Sequence, residues 1–244
     1  MNTPAQKKLS AFTVVELLVV VGMIVLLGST LLPALAKTRP NTQAAQCLNN
    51  MRQWAAVFQL FAGDNADVLL SAADELPGRS YWLQSGVLQP YINKSPGLLR
   101  CPADQSTRTR CVSMSSVFGQ GELLGPDIWR TYAKGAEIVL PAKTFVFGDE
   151  HPDSINDGAL CNSCTGNQPA DPPVLSRIMD WPASYHEGAG SFCFADGRAE
   201  IHKWVGTRIK AQMIYYSGSI PFDVPSGDSW VDMHWLAENT TVKR

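Results

Sequence analysis

The chain has 244 residues, 45% hydrophobic and 17% charged, and a net charge of −2. That balance is too apolar for a disordered chain, and the length suits one sizeable domain with an appendage. No Lys/Arg-rich block is present to neutralise a run of phosphates, which argues against nucleic acid as a partner.

Residues 1–11 are polar and carry Lys7 and Lys8, whereas Phe12 to Ala36 is apolar with Glu16 as its only charge. As a helix rising ~1.5 Å per residue, this stretch reaches ~38 Å, enough to cross a ~30 Å hydrocarbon layer. Lys37 and Arg39 close its far end, so positive charge flanks both sides and does not set an orientation. A carboxylate inside hydrocarbon is costly, and Glu16 therefore needs a partner. Pro33 has no amide donor and its ring clashes with the preceding turn, so a kink is expected there. The competing reading is an ordinary secretory signal cut after Ala34-Leu35-Ala36; the apolar run exceeds the usual ~7–15 residues of such signals, and that reading gives Glu16 no role.

A basic leader, Ala11, and then Phe12-Thr13-Val14-Val15-Glu16 opening an apolar helix together resemble the type III signal of type IV pilins and pseudopilins, and Pro33 matches the kink position of that family. The resemblance implies a leader over 1–11, cleavage by a prepilin peptidase between Ala11 and Phe12, and N-methylation of Phe12. The family usually has glycine where Ala11 stands. It further implies a transmembrane helix over 12–36, single-pass placement in the inner membrane with the C-terminal domain periplasmic, and pairing of Glu16 with the N-terminal amine of the next subunit.

Past Pro40, the apolar residues Ala44, Leu48, Met51, Ala55, Phe58 and Ala62 recur at helical spacing, widened by Trp54 and Phe61. An amphipathic continuation of the helix over 37–63 is predicted, stopping at Gly63-Asp64-Asn65. Residues 64–244 are read as the globular domain. Its first part, 66–140, is rich in proline and glycine breaks. Strand signals follow at Thr144–Phe147, bounded by Pro141 and Gly148, and at two runs flanking Asp196-Gly197 that predict a hairpin near 191–204 with a type I′ turn. The expected fold class is α+β and pilin-like, a long bent N-terminal transmembrane and amphipathic helix packed on an antiparallel β-sheet. His186, nine intervening residues and then Asp196-Gly197 resemble the H-X9-DG pattern of a large group of bacterial prepilin-type proteins. Cys47 to Gln53, Asp64-Asn65 and Cys101-Pro102-Ala103-Asp104 also resemble that group, while 105–140 and the C-terminal stretch match nothing we can name.

His186 and Asp196 could be ligands or an acid–base pair. The turn already accounts for Asp196 as a cap, with His186 hydrogen-bonded near it. Residue 190 is glycine, so His186-Glu187 does not open the zinc-protease motif, and no G-x-S-x-G is present; the chain is expected not to be an enzyme. Asp149, Glu150, Asp153, Asn156 and Asp157 offer the oxygens that Ca²⁺ takes, the alternative being solvated loop acids, and no other cofactor is expected. Cys161 and Cys164 form a lone C-x-x-C with neither a second pair for zinc nor a helix start for a redox site. If the domain lies outside the cytoplasm, disulfides are compatible with six cysteines: Cys161–Cys164 locally, with Cys101–Cys111 a second pair and Cys47–Cys101 its rival. Trp204, Trp230, Trp235, Tyr215 and Tyr216 are read mainly as core.

The expected function is that of a non-enzymatic pseudopilin or minor-pilin-like subunit in a type II secretion or type IV pilus-like structure. Its partners would be the prepilin peptidase, other pilin-like subunits, the membrane and a cargo of unspecified kind. The alternative is a pilin-signal-anchored extracytoplasmic binding protein that does not polymerise and holds calcium in its loops.

Overall fold

Thr13 starts the first helix, α1 (Val14–Asp64). Its backbone N–H donates to Glu16 Oε2 at 2.9 Å, and its Oγ1 accepts the Glu16 N–H at 3.2 Å, a reciprocal capping box. In the computed structural model the described residues are 13–73, 78–79, 81–84, 86–92, 95–125, 128–214 and 220–244, with the side chains of 28–41, 96 and 123 also outside the description. Two compact units are formed, Met1–Asn41 and Thr42–Arg244, and α1 contributes to both.

In the first unit, α1 exposes apolar side chains at successive positions, from Val14 (73%) to Leu27 (63%). The expected membrane span over 12–36 is corrected here: among the described residues, no helix is long and apolar enough to cross a membrane. The side chains described from Val14 to Leu27 cover only ~21 Å at ~1.5 Å per residue, against a ~30 Å hydrocarbon layer. Ala11 and Phe12 lie outside the described residues, as does the side chain of Pro33.

In the second unit, α1 buries Cys47, Met51, Trp54, Ala55, Val57, Phe58, Phe61 and Ala62, while Ala44 and Leu48 stay half-buried. Gly63 remains inside the helix; the stop comes from left-handed Ala66 (φ 52°) and Asp67 (φ 67°). The Asp67 N–H then satisfies the Ala62 carbonyl at 2.8 Å, one of the carbonyls a helix end would otherwise leave unpaired.

Among the described residues seven strands follow: β1 (Val112–Ser115), β2 (Phe145–Asp149), β3 (Ala159–Leu160), β4 (Arg177–Ile178), β5 (Ala189–Phe194), β6 (Ala199–Lys203) and β7 (Val224–Pro225). The main sheet has the order β3-β1-β2-β5-β6, and β4 pairs β7 separately. The sheet is mixed, which corrects the antiparallel expectation: β1 pairs β2 antiparallel but β3 parallel. The second edge of β2 is taken by β5, so the chain leaving β2 crosses to the free edge of β1, where the Met114 N–H donates to the Gly158 carbonyl at 3.0 Å. Strand β2 also runs through Gly148, where a Cβ would lie 2.7 Å from the Phe192 ring; glycine permits that approach and does not end the strand.

Both faces of the sheet are covered. On one, Trp54 of α1 lies tilted against Phe147 at 4.7 Å and edge-on to Trp82 at 5.8 Å, and its Nε1–H donates to the Leu98 carbonyl at 2.9 Å. On the other, Phe145, Phe192, Phe194 and Trp204 pack with Met233 and Leu236 of the C-terminal helix α2 (Trp230–Glu238). Burying one such side chain stabilises by roughly 1.5–3 kcal/mol, so the α1 stripe and this aromatic layer dominate the packing energy. Trp235 is half-buried and stacks on His202 at 3.7 Å. Tyr215 and Tyr216 lie outside the described residues.

Candidate metal centre

Three segments deliver polar side chains to one buried point against α1. Cys47 is the first fully buried residue of the α1 stripe. The loop 101–111 is pinched at its neck, where the Cys111 N–H donates to the Leu99 carbonyl at 3.0 Å and the Cys101 N–H to Cys111 Sγ at 2.9 Å; both thiols therefore face the same place. Asp149 ends β2, paired with Val112 of β1. His186 precedes β5 in a turn whose next residues, Glu187 (φ 55°) and Gly188 (φ 85°), are both left-handed, which turns the imidazole back toward the thiols.

The ligand-capable atoms of Cys47, Cys101, Asp149 and His186 all lie within 4.8 Å of one another. The Cys47 thiol donates to Asp149 Oδ2 at 3.0 Å, the Cys111 thiol to Asp149 Oδ1 at 3.3 Å, and Cys101 Sγ lies 3.2 Å from His186 Nε2. Ser191 Oγ of β5 lies 3.2 Å from Cys47 Sγ. Cys47, Cys101 and Asp149 are buried, at 1%, 2% and 0% exposure.

Burial governs the charge states. It pushes the Asp149 carboxyl up to about 6, even though the thiols of Cys47 and Cys111 donate to it. The Cys47 thiol is raised first by its contact with Cys101 and then by burial, Cys111 is raised by burial, and the His186 imidazolium is disfavoured by burial. A neutral imidazole nitrogen, two thiol sulfurs and a carboxylate make a donor set of the kind that binds borderline-soft divalent cations.

His186 and Asp196 are drawn apart: His186 joins the thiols, while Asp196 Oδ1 accepts the Arg198 N–H at 3.0 Å in the hairpin turn. That turn is wider than a type I′ turn. Gly197 alone has positive φ (95°), the Gly197 N–H donates to the Phe194 carbonyl at 3.0 Å, and the Phe194 N–H donates to the Arg198 carbonyl at 2.8 Å, the pattern of a turn followed by a glycine bulge. The four acids and Asn156 considered for calcium point to different places. Asp149 faces the thiols; Glu150 accepts from Ser113; Asp153 accepts the Ile214 N–H at 2.8 Å; Asp157 accepts the Ala159 N–H at 2.7 Å; Asn156 lies in the loop between them.

All six cysteines are free thiols. Cys161 donates to Gln120 Oε1 at 3.3 Å, and Cys164 is packed in the core. From the sequence, Cys47 and Cys101 offer themselves only as disulfide partners, of each other or of Cys111, and Asp149 only as an oxygen ligand for calcium. No spacing signal joins residues so far apart; the one legible clue was the company of Cys47, Cys101 and His186 in segments resembling a single protein group. Thr13, by contrast, carried an overlooked signal, the T-x-x-E of a capping box. Compared with models of known protein families, with curated proteins and with solved structures, the chain has no match.

Proposed function

We propose that the chain is a non-enzymatic assembly subunit of the pseudopilin or minor-pilin kind, joined to other copies through the start of α1 and presenting residues 42–244 as its working domain. One observation carries this reading: apolar side chains are exposed at consecutive positions from Leu17 to Val21 and from Met23 to Leu27, on every side of the helix. A helix that is apolar all round is one that works buried. Like helices from neighbouring copies supply such surroundings and also the geometry for Glu16. Its Oε2 serves the capping box with Thr13, leaving Oε1 to accept from a cation on the next subunit. The resemblance of residues 1–16 to a prepilin signal names that cation as the amine freed at Phe12.

Two substitutions separate the roles of Glu16. Gln keeps the capping box but removes the charge; Ala removes both. If the charge joins subunits, Glu16→Gln and Glu16→Ala both lose filaments or cross-linked multimers in native extracts, while circular dichroism of the domain is unchanged. Wild-type assembly by both variants would sink the reading. Terminal-peptide mass spectrometry should in addition find N-methyl-Phe12 as the mature first residue.

A further inference from the structure

We propose that Cys47 Sγ, Cys101 Sγ, His186 Nε2 and a carboxylate oxygen of Asp149 are the four ligands of a structural divalent ion of the zinc class. Their mutual separation, within 4.8 Å, is close to what a tetrahedral site requires. With metal–sulfur bonds of ~2.3 Å and metal–nitrogen bonds of ~2.0–2.1 Å, neighbouring ligand atoms in such a site lie ~3.3–3.8 Å apart. The contacts already formed, 3.0 Å between Cys47 and Asp149 and 3.2 Å between Cys101 and His186, therefore need adjustments well under the length of a bond.

Sulfur donors exclude the hard cations Ca²⁺ and Mg²⁺, which take oxygen, and select zinc-like ions. Four protein ligands, three of them buried and His186 half-buried, leave no open position for substrate, which is the structural rather than the catalytic pattern. Supporting contacts of the kind metal sites use are present. The Cys111 thiol orients Asp149 through its second oxygen, and Ser191 Oγ lies against Cys47 Sγ. Tyr185 Oη, on the residue next to His186, is buried and has no hydrogen-bond partner among the described residues. On metal binding each ligating thiol gives its proton to solvent, and the thiolate becomes an acceptor that this hydroxyl can serve. The ion would bind α1 to the 101–111 loop, the end of β2 and the turn before β5, cross-linking the second unit where its layers meet. Metal content is independent of whether the chain assembles, so this inference and the assembly reading stand or fall separately.

The test uses the full chain, purified without chelator and measured by elemental mass spectrometry. The expected result is one zinc ion per chain, lost in Cys101→Ser and in His186→Ala but kept in Cys164→Ser, whose thiol lies elsewhere in the core. Cys111→Ser, which removes only a supporting contact, should weaken binding ~10–100-fold without abolishing it. Because a ligand variant can fail to fold, the decisive measurement is made on wild type. The chelator-stripped chain is titrated with Co²⁺, and a thiolate-to-cobalt charge-transfer band with the intense visible bands of tetrahedral cobalt is expected at one equivalent. A folded wild-type chain with neither zinc nor such a spectrum overturns the proposal. So does a Cys47–Cys101 disulfide in the non-reduced protein, or metal retained by both ligand variants.

Discussion

Asp180 offers the clearest test of how burial sets this protein's pH response. Its carboxylate is 3% exposed and accepts the Cys161 N–H at 2.7 Å, and burial raises its pKa from 3.8 to about 6. Between those values the folded chain binds more protons than the unfolded one. The stability contributed by the protonated form is therefore complete below ~4 and is lost as pH rises through about 6. Two pKa units correspond to about 3 kcal/mol. Asp180→Asn keeps an acceptor for Cys161 and cannot ionise, so it removes this loss. It also takes away the charge that, after burial, most raises the neighbouring Glu150, and easing Glu150 acts in the same direction. Urea unfolding followed by tryptophan fluorescence from pH 4 to 7.5 should show wild type losing up to about 3 kcal/mol more than the variant. The variant should match wild type near pH 4 and exceed it at pH 7. Parallel pH profiles, or a variant less stable than wild type at pH 7 with an unchanged slope, would refute the reasoning.

Two further substitutions test the packing and the polar bonds on either side of the sheet. Trp54→Ala should cost ~3–5 kcal/mol, and Trp54→Phe less, because Phe keeps an aromatic contact with Phe147 but leaves the Leu98 carbonyl without its donor; the midpoint of urea unfolding reads both. Asp232 accepts the N–H groups of Val205 and Gly206, each at 2.8 Å, so Asp232→Ala should orphan both amides and cost roughly 2–4 kcal/mol, whereas Asp232→Asn retains one acceptor and costs less by the same assay.

The stripe on α1 was legible because its spacing is local: an apolar residue every third or fourth position needs no knowledge of what it packs on. The hairpin was legible for the same reason, since Asp196-Gly197 lies between two runs of strand character. Three features were hidden by longer-range causes. Gly148 reads as a terminator in isolation, yet it sits inside β2 because the Phe192 ring of a strand more than 40 residues away needs its missing Cβ. The parallel strand β3 is two residues long and exists because β1 has a free edge. At the candidate metal centre, the C-x-x-C of Cys161 and Cys164 is the only cysteine pair at ligand spacing in the sequence, whereas the donors that converge come from four separate segments. Convergence of that kind is a property of the tertiary fold, and the sequence holds only its separate pieces.

The pieces nevertheless fit one geometric account. Each end of the His186-to-Asp196-Gly197 motif touches α1: His186 lies within 4.8 Å of the cluster containing Cys47, and at the other end Gln59 Nε2 donates to the Ala195 carbonyl at 3.2 Å. Between the contacts, α1 advances ~18 Å from residue 47 to residue 59 at ~1.5 Å per residue. Strand β5, from Ala189 to Phe194, advances ~17 Å at ~3.3 Å per residue. The nine intervening residues thus hold one turn and one strand of the length needed to run alongside that part of the helix. A Cβ at Gly197 would lie 3.2 Å from Gln59 Nε2, so glycine serves there both the left-handed turn and the close approach of the hairpin tip. The spacing is therefore a ruler for strand against helix. One end is closed by the hairpin turn, and the other by a histidine that the fold delivers to two thiols and a carboxylate. Inserting or deleting a residue within 187–195 would move His186 off the thiols or Gly197 off Gln59, because a one-residue slip in a strand also reverses which face each side chain occupies.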